Sequence, residues 1–158
     1  MKFSIAVNCR LLCVAMLCWQ TAAAAPYKAK ADAHNPRQVQ RGERVYQRFC
    51  SICHGRHLQG QPNWRKRKPN GKLPAPPHDE SGHSWHHPDQ VLFDMTKFGM
   101  VPPYAPENYR SDMPGWGETL KDEDIWAVIA FIKSRWPQQQ RKFQAERNRE
   151  AEQESNGQ

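Results

Sequence analysis

Hydrophobic residues are spread unevenly along this chain: one compact run near the N-terminus, three periodic segments, and long polar stretches between and after them. In the first periodic segment, Val39, Gly42, Val45, Tyr46 and Phe49 recur at three- and four-residue steps up to Cys50, the stripe of an amphipathic helix. Asn35 is an N-cap type and Pro36 suits the first helical position, so the helix is predicted to begin there. A glycine inside the stripe costs about 1 kcal/mol relative to alanine, and close approach of another helix would compensate. Val91, Leu92, Met95 and Phe98 mark a short second helix between Pro88 and Gly99, with the glycine as its stop. The third segment carries the clearest signal. Asp122, Glu123 and Asp124 open it, Ile125, Val128, Ile129, Ile132 and Trp136 run along it, and Lys133 and Arg135 lie near its end, all in accord with the helix dipole. Pro137 terminates it.

Between the first two helices, residues 55–90 show no periodicity and hold Gly55, Gly60, Pro62, Pro69, Gly71, Pro74, Pro76, Pro77, Gly82 and Pro88, the marks of turns. So long an irregular stretch argues against an ordinary compact domain unless it wraps something. A second loop, rich in Pro and Tyr, covers residues 100–117. After Pro137, residues 138–158 balance four basic against four acidic side chains with almost no apolar content, so this tail is predicted to be disordered or a frayed, solvated helix. At the other end, Lys2 and Arg10 flank the apolar run Leu11 to Trp19, and Thr21 to Ala25 are small residues. That is a signal peptide, cut after Ala24. The run falls short of the ~20 residues of a comfortable span, although an uncleaved leader would act as an anchor. The expected division is therefore leader 1–24, linker 25–34, an all-α domain 35–136 and a charged tail 137–158.

Composition changes the picture in two ways. With a mean hydropathy of −0.91 and 13 prolines in 158 residues, little of the chain can be hydrocarbon core, and so small and polar a domain needs disulfides, a metal or a large cofactor. Of the five cysteines, Cys9, Cys13 and Cys18 leave with the leader, and Cys50 and Cys53 remain. Cleavage also removes Lys2 and Arg10 and no acid, lowering the formal net charge of +7 by two. That modest basicity suits an acidic protein partner, with most of it read as a solvated face. Nothing in the pattern asks for nucleic acid.

Cys50-Ser51-Ile52-Cys53-His54 has the C-x-x-C-H layout of covalent haem attachment. Two thiols add to the two vinyl groups of one porphyrin, and the next residue brings an imidazole beneath the iron. Three rival readings stand beside it. A thioredoxin-like pair needs a βαβ setting, which no strand pattern here supplies. A plain disulfide has poor geometry at this spacing on a helix end. Zinc could recruit His83 and His87, but the gap from Cys53 to His83 is about twice the usual finger spacing.

On these residues the chain resembles a class I cytochrome c over roughly Asn35 to Trp136. The resemblance rests on Gly42 and Tyr46 before Cys50-x-x-Cys53-His54, on Met113-Pro114-Gly115-Trp116, and on the final helix. It implies one haem c held through Cys50 and Cys53, with crossed first and last helices. Gly42 and Tyr46 should then meet the region of Ile125, Trp126 and Ile129. It also implies His54 and Met113 as axial ligands, with Met95 and Met100 as filler. A carbonyl of Pro76 or Pro77 should accept from His54, although His78 stands where an apolar residue is common. Trp85, with Trp64, Arg65 or Arg67, is a candidate for covering the haem edge and holding its propionates. The cluster His78, His83, His86 and His87 is a candidate metal site or a source of a second ligand. The implied function is outer-sphere electron transfer in the periplasm between redox protein partners, not catalysis. Membrane contact would come only through such a partner or an uncleaved leader. The alternatives are an electron-transfer subunit of a larger oxidase or dehydrogenase, and a haem enzyme with an open sixth position.

Overall fold

The structure is a computed structural model describing residues 31–156. The leader and the first part of the expected linker lie outside the described residues. No helix among the described residues is long and apolar enough to cross a membrane. Every regular element among the described residues is helical, so the all-α expectation holds.

Helix α1 (Pro36–Val45) starts where the sequence places it, the Asn35 side chain accepting from the backbone N–H groups of Arg37 and Gln38. A π-helical turn (Tyr46–Cys50) follows, and α2 (Ser51–His54) continues the same rod to Gly55. Nothing in the apolar spacing announced that widened turn, a feature often found at functional positions. After the long wrap come α3 (Asp89–Phe98) and α4 (Asp122–Ser134).

The core sits where α1 crosses α4, the most extensive helix–helix contact. A Cβ at Gly42 would fall onto the Ala127 carbonyl and within 2.9 Å of the Phe131 Cβ. Only a hydrogen fits there, which accounts for the glycine inside the stripe. Tyr46, one turn on, has its ring 5.4 Å from that of Phe131. Around this crossing Ile125, Val128, Ile129 and Ala130 are buried. Arg41 clips its edge to Asp124 at 2.7 Å. Gly42 and Tyr46 thus meet α4 at Ala127 and Phe131, around the expected region, and Trp126 within that region stacks on Phe93 of α3, centroids 4.3 Å apart. The inward residue of α3 is accordingly Phe93, while Phe98, on the predicted stripe, is 58% exposed.

Two expected loose ends are packed. Ala31, within the predicted linker, is buried, and its carbonyl accepts from the Lys133 ammonium at 3.0 Å. The tail, expected to be disordered or a frayed, solvated helix, is a 19-residue helix, α5 (Gln138–Asn156), and it is docked. Apart from Phe143, its docking is polar, which is why hydrophobic patterning missed it. Gln144 is 1% exposed and donates to Asp89 at 2.6 Å, and Asn148 accepts from the Asp89 backbone N–H at 2.7 Å. Asp89 in turn receives the Lys133 ammonium on both carboxylate oxygens at 2.7 Å. One buried ion pair thus joins α3, α4 and α5, and breaking such a pair from one side costs about 3–5 kcal/mol.

Candidate haem-attachment site

The rod from Pro36 to His54 delivers Cys50, Cys53 and His54 to one place. Its end is held by the Tyr46 hydroxyl, which donates to the Gly55 carbonyl at 2.8 Å, and by the Ser51 hydroxyl, which donates to the Gln47 carbonyl at 2.8 Å. Both cysteines are free thiols, Cys53 exposed and Cys50 partly buried. Burial, with the Cys53 thiol beside it, pushes the Cys50 thiol up to about 12. The disulfide reading therefore has no counterpart in the structure. Ile52, between the two cysteines, is 89% exposed.

His54 is 7% exposed and lies with Nδ1 2.9 Å from the Pro76 carbonyl oxygen. A carbonyl only accepts, so Nδ1 carries the proton and Nε2 is left with its lone pair, the tautomer a metal requires. Burial lowers the His54 pKa, with the Pro76 hydrogen bond opposing it. Of the two prolines offered by the sequence, Pro76 supplies the carbonyl. Pro77 helps by position: its backbone N and the Pro76 carbonyl carbon lie so close to Gly60 that a Cβ there would collide with both. Gly60 adopts φ +66° and donates its N–H to the His54 carbonyl at 2.8 Å. Leu58 holds φ +66° as well, uncommon for a bulky residue. It is buried, and its carbonyl accepts from His78 at 2.7 Å.

His78 fills the place where an apolar residue was expected and stacks on His54, centroids 4.1 Å apart and planes 26° from parallel. Its Nδ1 lies 2.9 Å from the Ser84 hydroxyl, and its carbonyl accepts from the Trp136 indole at 2.8 Å. Burial and the nearby His54 and His83 hold His78 well below the usual histidine range. Neither Ser84 nor this use of Trp136 had a direct sign in the residue pattern. An indole N–H needs a partner when buried, which was the one available signal.

The remaining histidines do not gather around a metal. Among the described residues no group of three or more His, Cys, Asp or Glu side chains is arranged to hold one. His83 stacks on Trp64 at 5.6 Å, and His86 lies on Trp85 at 3.8 Å. The multi-histidine metal site and the finger-like zinc reading are therefore set aside. Trp85 also meets Phe143 of α5 at 5.4 Å, and its indole Nε1 is buried without a partner.

Met113 lies partly exposed in the loop before α4, its N–H donating to the Ser111 hydroxyl at 3.0 Å. The stretch after it is tied to the end of α3 by the N–H groups of Trp116 and Gly117, which donate to the carbonyls of Thr96 and Lys97 at 2.9 Å. Trp116 also sets its ring edge-on to Phe49 at 5.5 Å, one residue before Cys50. The Met113 loop and the cysteine helix are thus joined through these rings. Two surface depressions, one along the first helical rod and one beside it against residues 56–80 and the end of α4, include none of Cys50, Cys53, His54, His78, Trp85 and Met113.

Two free thiols on one helix end, a neutral imidazole with its lone pair available and an orphaned indole N–H suit a covalently held haem with its carboxylates. No curated protein and no solved structure matches the chain. Residues 37–132 match the family profile described as cytochrome C oxidase, cbb3-type, subunit III. That span takes in the cysteine rod, the wrap, the Met113 loop and most of α4, more than half the chain; the protein therefore belongs to this family of cytochrome c domains, which transfer electrons through covalently bound haem c.

Proposed function

We propose that this chain is a mono-haem electron carrier of the periplasm, with haem c attached through Cys50 and Cys53 and the iron held between His54 and Met113. The observation that carries the reading is the 2.9 Å contact between His54 Nδ1 and the Pro76 carbonyl, which fixes the ring and leaves Nε2 to ligate. When bound, the haem supplies a one-electron couple. The chain's own residues orient it: Pro76 aims the His54 ring, Gly60 lets the proline loop pass, and His78 flanks the imidazole. Met113 offers a soft, neutral thioether that favours reduced iron. The buried Trp85 indole, without a partner of its own, would be a donor for a propionate oxygen. Two side chains on the iron would leave no position for a substrate, which favours a carrier over an enzyme.

Export rests on the leader read in residues 1–24, and the periplasm is where such a haem would be attached and used. The family description favours a second reading, an electron-transfer subunit within an oxidase complex. Co-purification with large oxidase subunits at physiological salt would decide for it. For the ligands the test is Met113→Ala. The oxidised protein should show the weak long-wavelength band of sulfur–iron ligation, and the variant should lose it and bind small ligands. An unchanged spectrum would move the sixth ligand to another residue.

A further inference from the structure

Between Ser51 and His78 the chain contains no Asp or Glu but six Lys and Arg side chains, five of them at positions 65–68 and 72. This acid-free stretch is a built loop. The Asn63 and Lys68 carbonyls accept from Lys66 and Gly71 at 2.7 and 2.9 Å, the Lys72 carbonyl accepts from Lys68 at 2.9 Å, and the Arg67 guanidinium donates to the Gly71 carbonyl at 2.7 Å. Arg65, Lys66, Arg67 and Lys68 are all exposed. Arg65, Lys66 and Lys68 belong to none of the ion pairs among the described residues.

The base of the loop rests on the segment that leads into Met113. Lys72 pairs with Asp112, holding that carboxyl below the usual carboxylate range. Arg67 lies over the Tyr109 ring, 5.5 Å from its centroid. Gly71 faces the Arg110 side chain, 3.9 Å from where a Cβ would sit. Arg110 is itself exposed and adds a cation to the same face.

We propose that residues 63–72 form a rigid cationic platform that docks the acidic surface of a redox partner protein beside the Met113 loop. The inference deepens the electron-carrier reading and rests on it for the partner's redox character. Three features favour a protein over a lipid surface. The loop backbone is pre-ordered by its own hydrogen bonds, so docking costs little backbone ordering. It stands beside the proposed ligand loop, where an electron would enter or leave. Trp64, the loop's one aromatic, is spent between the Arg65 guanidinium at 4.0 Å and the His83 ring, so it is not free to insert at a lipid interface.

The test uses the holoprotein and three probes: ferricyanide and tris(phenanthroline)cobalt(III) as anionic and cationic one-electron oxidants, and poly-L-glutamate as an acidic polypeptide. The loop variant combines Arg65→Glu, Lys66→Glu and Lys68→Glu. A control combines Arg37→Glu, Arg44→Glu and Lys142→Glu, three exposed sites elsewhere with the same change in charge. The loop variant should oxidise about tenfold more slowly with ferricyanide at low salt, gain rate with the cobalt complex, and lose poly-L-glutamate binding. The control should keep the wild-type ratio of the two rates. Equal effects of the two variants, or poly-L-glutamate binding that survives the loop changes, would overturn the platform. So would wild-type binding to vesicles of mixed phosphatidylcholine and phosphatidylglycerol but not to poly-L-glutamate. The polypeptide assay does not depend on iron, so absence of a reducible haem would defeat the electron-carrier reading and leave the platform to be decided by binding.

Discussion

The His54 side and the Met113 side of the site are built by different means. On the His54 side the ring is 7% exposed, its Nδ1 is committed to Pro76, and His78, Ser84, Leu58 and Trp136 interlock behind it. On the Met113 side the chain is held by backbone bonds to the end of α3, by the Trp116–Phe49 contact, and by a Lys72–Asp112 pair at the surface. The first wall is pre-organised by buried contacts; under the proposed ligation the second would take its final hold from the Met113–iron bond. The contrast teaches where the protein fixes its cofactor and where it can tune it.

The largest effect should come from the crossing that carries the His54 wall. In Gly42→Leu the new side chain would strike the Ala127 carbonyl and Phe131, costing ~3 kcal/mol or more against a total stability of about 5–15 kcal/mol. Recovery of folded, haem-bearing protein should collapse, as read by circular dichroism and haem absorbance. Met113→Ala should change the spectrum strongly and the melting temperature little, because few buried contacts hold that side. Comparable melting losses in the two variants would erase the distinction.

His78→Leu sharpens the comparison from the other direction. Leucine fits an apolar site but leaves the Ser84 hydroxyl without its partner, an expected loss of about 1–2 kcal/mol. Chemical denaturation of the holoprotein should report it, with haem still attached. A variant as stable as the parent would mean that the imidazole is interchangeable with the apolar residue common in such proteins.

Acid provides the gentlest probe. His78, His83 and His87 all have lowered pKa values, with burial the largest cause in each. In the unfolded chain these rings protonate near pH ~6.5, while the folded protein refuses the protons. The neutral rings therefore contribute stability above that pH and lose it as pH falls. The melting temperature should decline steadily between about pH 7 and pH 5. A flat or rising profile would show that these rings are not held neutral by the fold.

Much of this was legible in the chain, because the signals are local. The spacing of Cys50, Cys53 and His54 is chemistry written in five residues, and the Gly42 stripe required a close neighbour. The Pro76 carbonyl followed from the resemblance and not from periodicity. What escaped are contacts with no period. The π-helical turn leaves the apolar spacing unchanged. Phe93 and Phe98 are equally apolar, and only the position of Trp126 decides which one faces inward. Helix α5 docks through Gln144 and Asn148, residues that patterning assigns to solvent. His78 reads as a polar substitution until its stacking on His54 is seen.

The most direct measurement is the intact mass of the purified, exported protein under denaturing conditions, read together with its haem absorbance. One haem retained through denaturation, on a chain lacking residues 1–24, is the expected result. Replacing Cys50 and Cys53 by serine should return the bare mass. A wild-type chain whose mass carries no haem, or whose haem is removed by acid-acetone extraction, would contradict covalent attachment through Cys50 and Cys53.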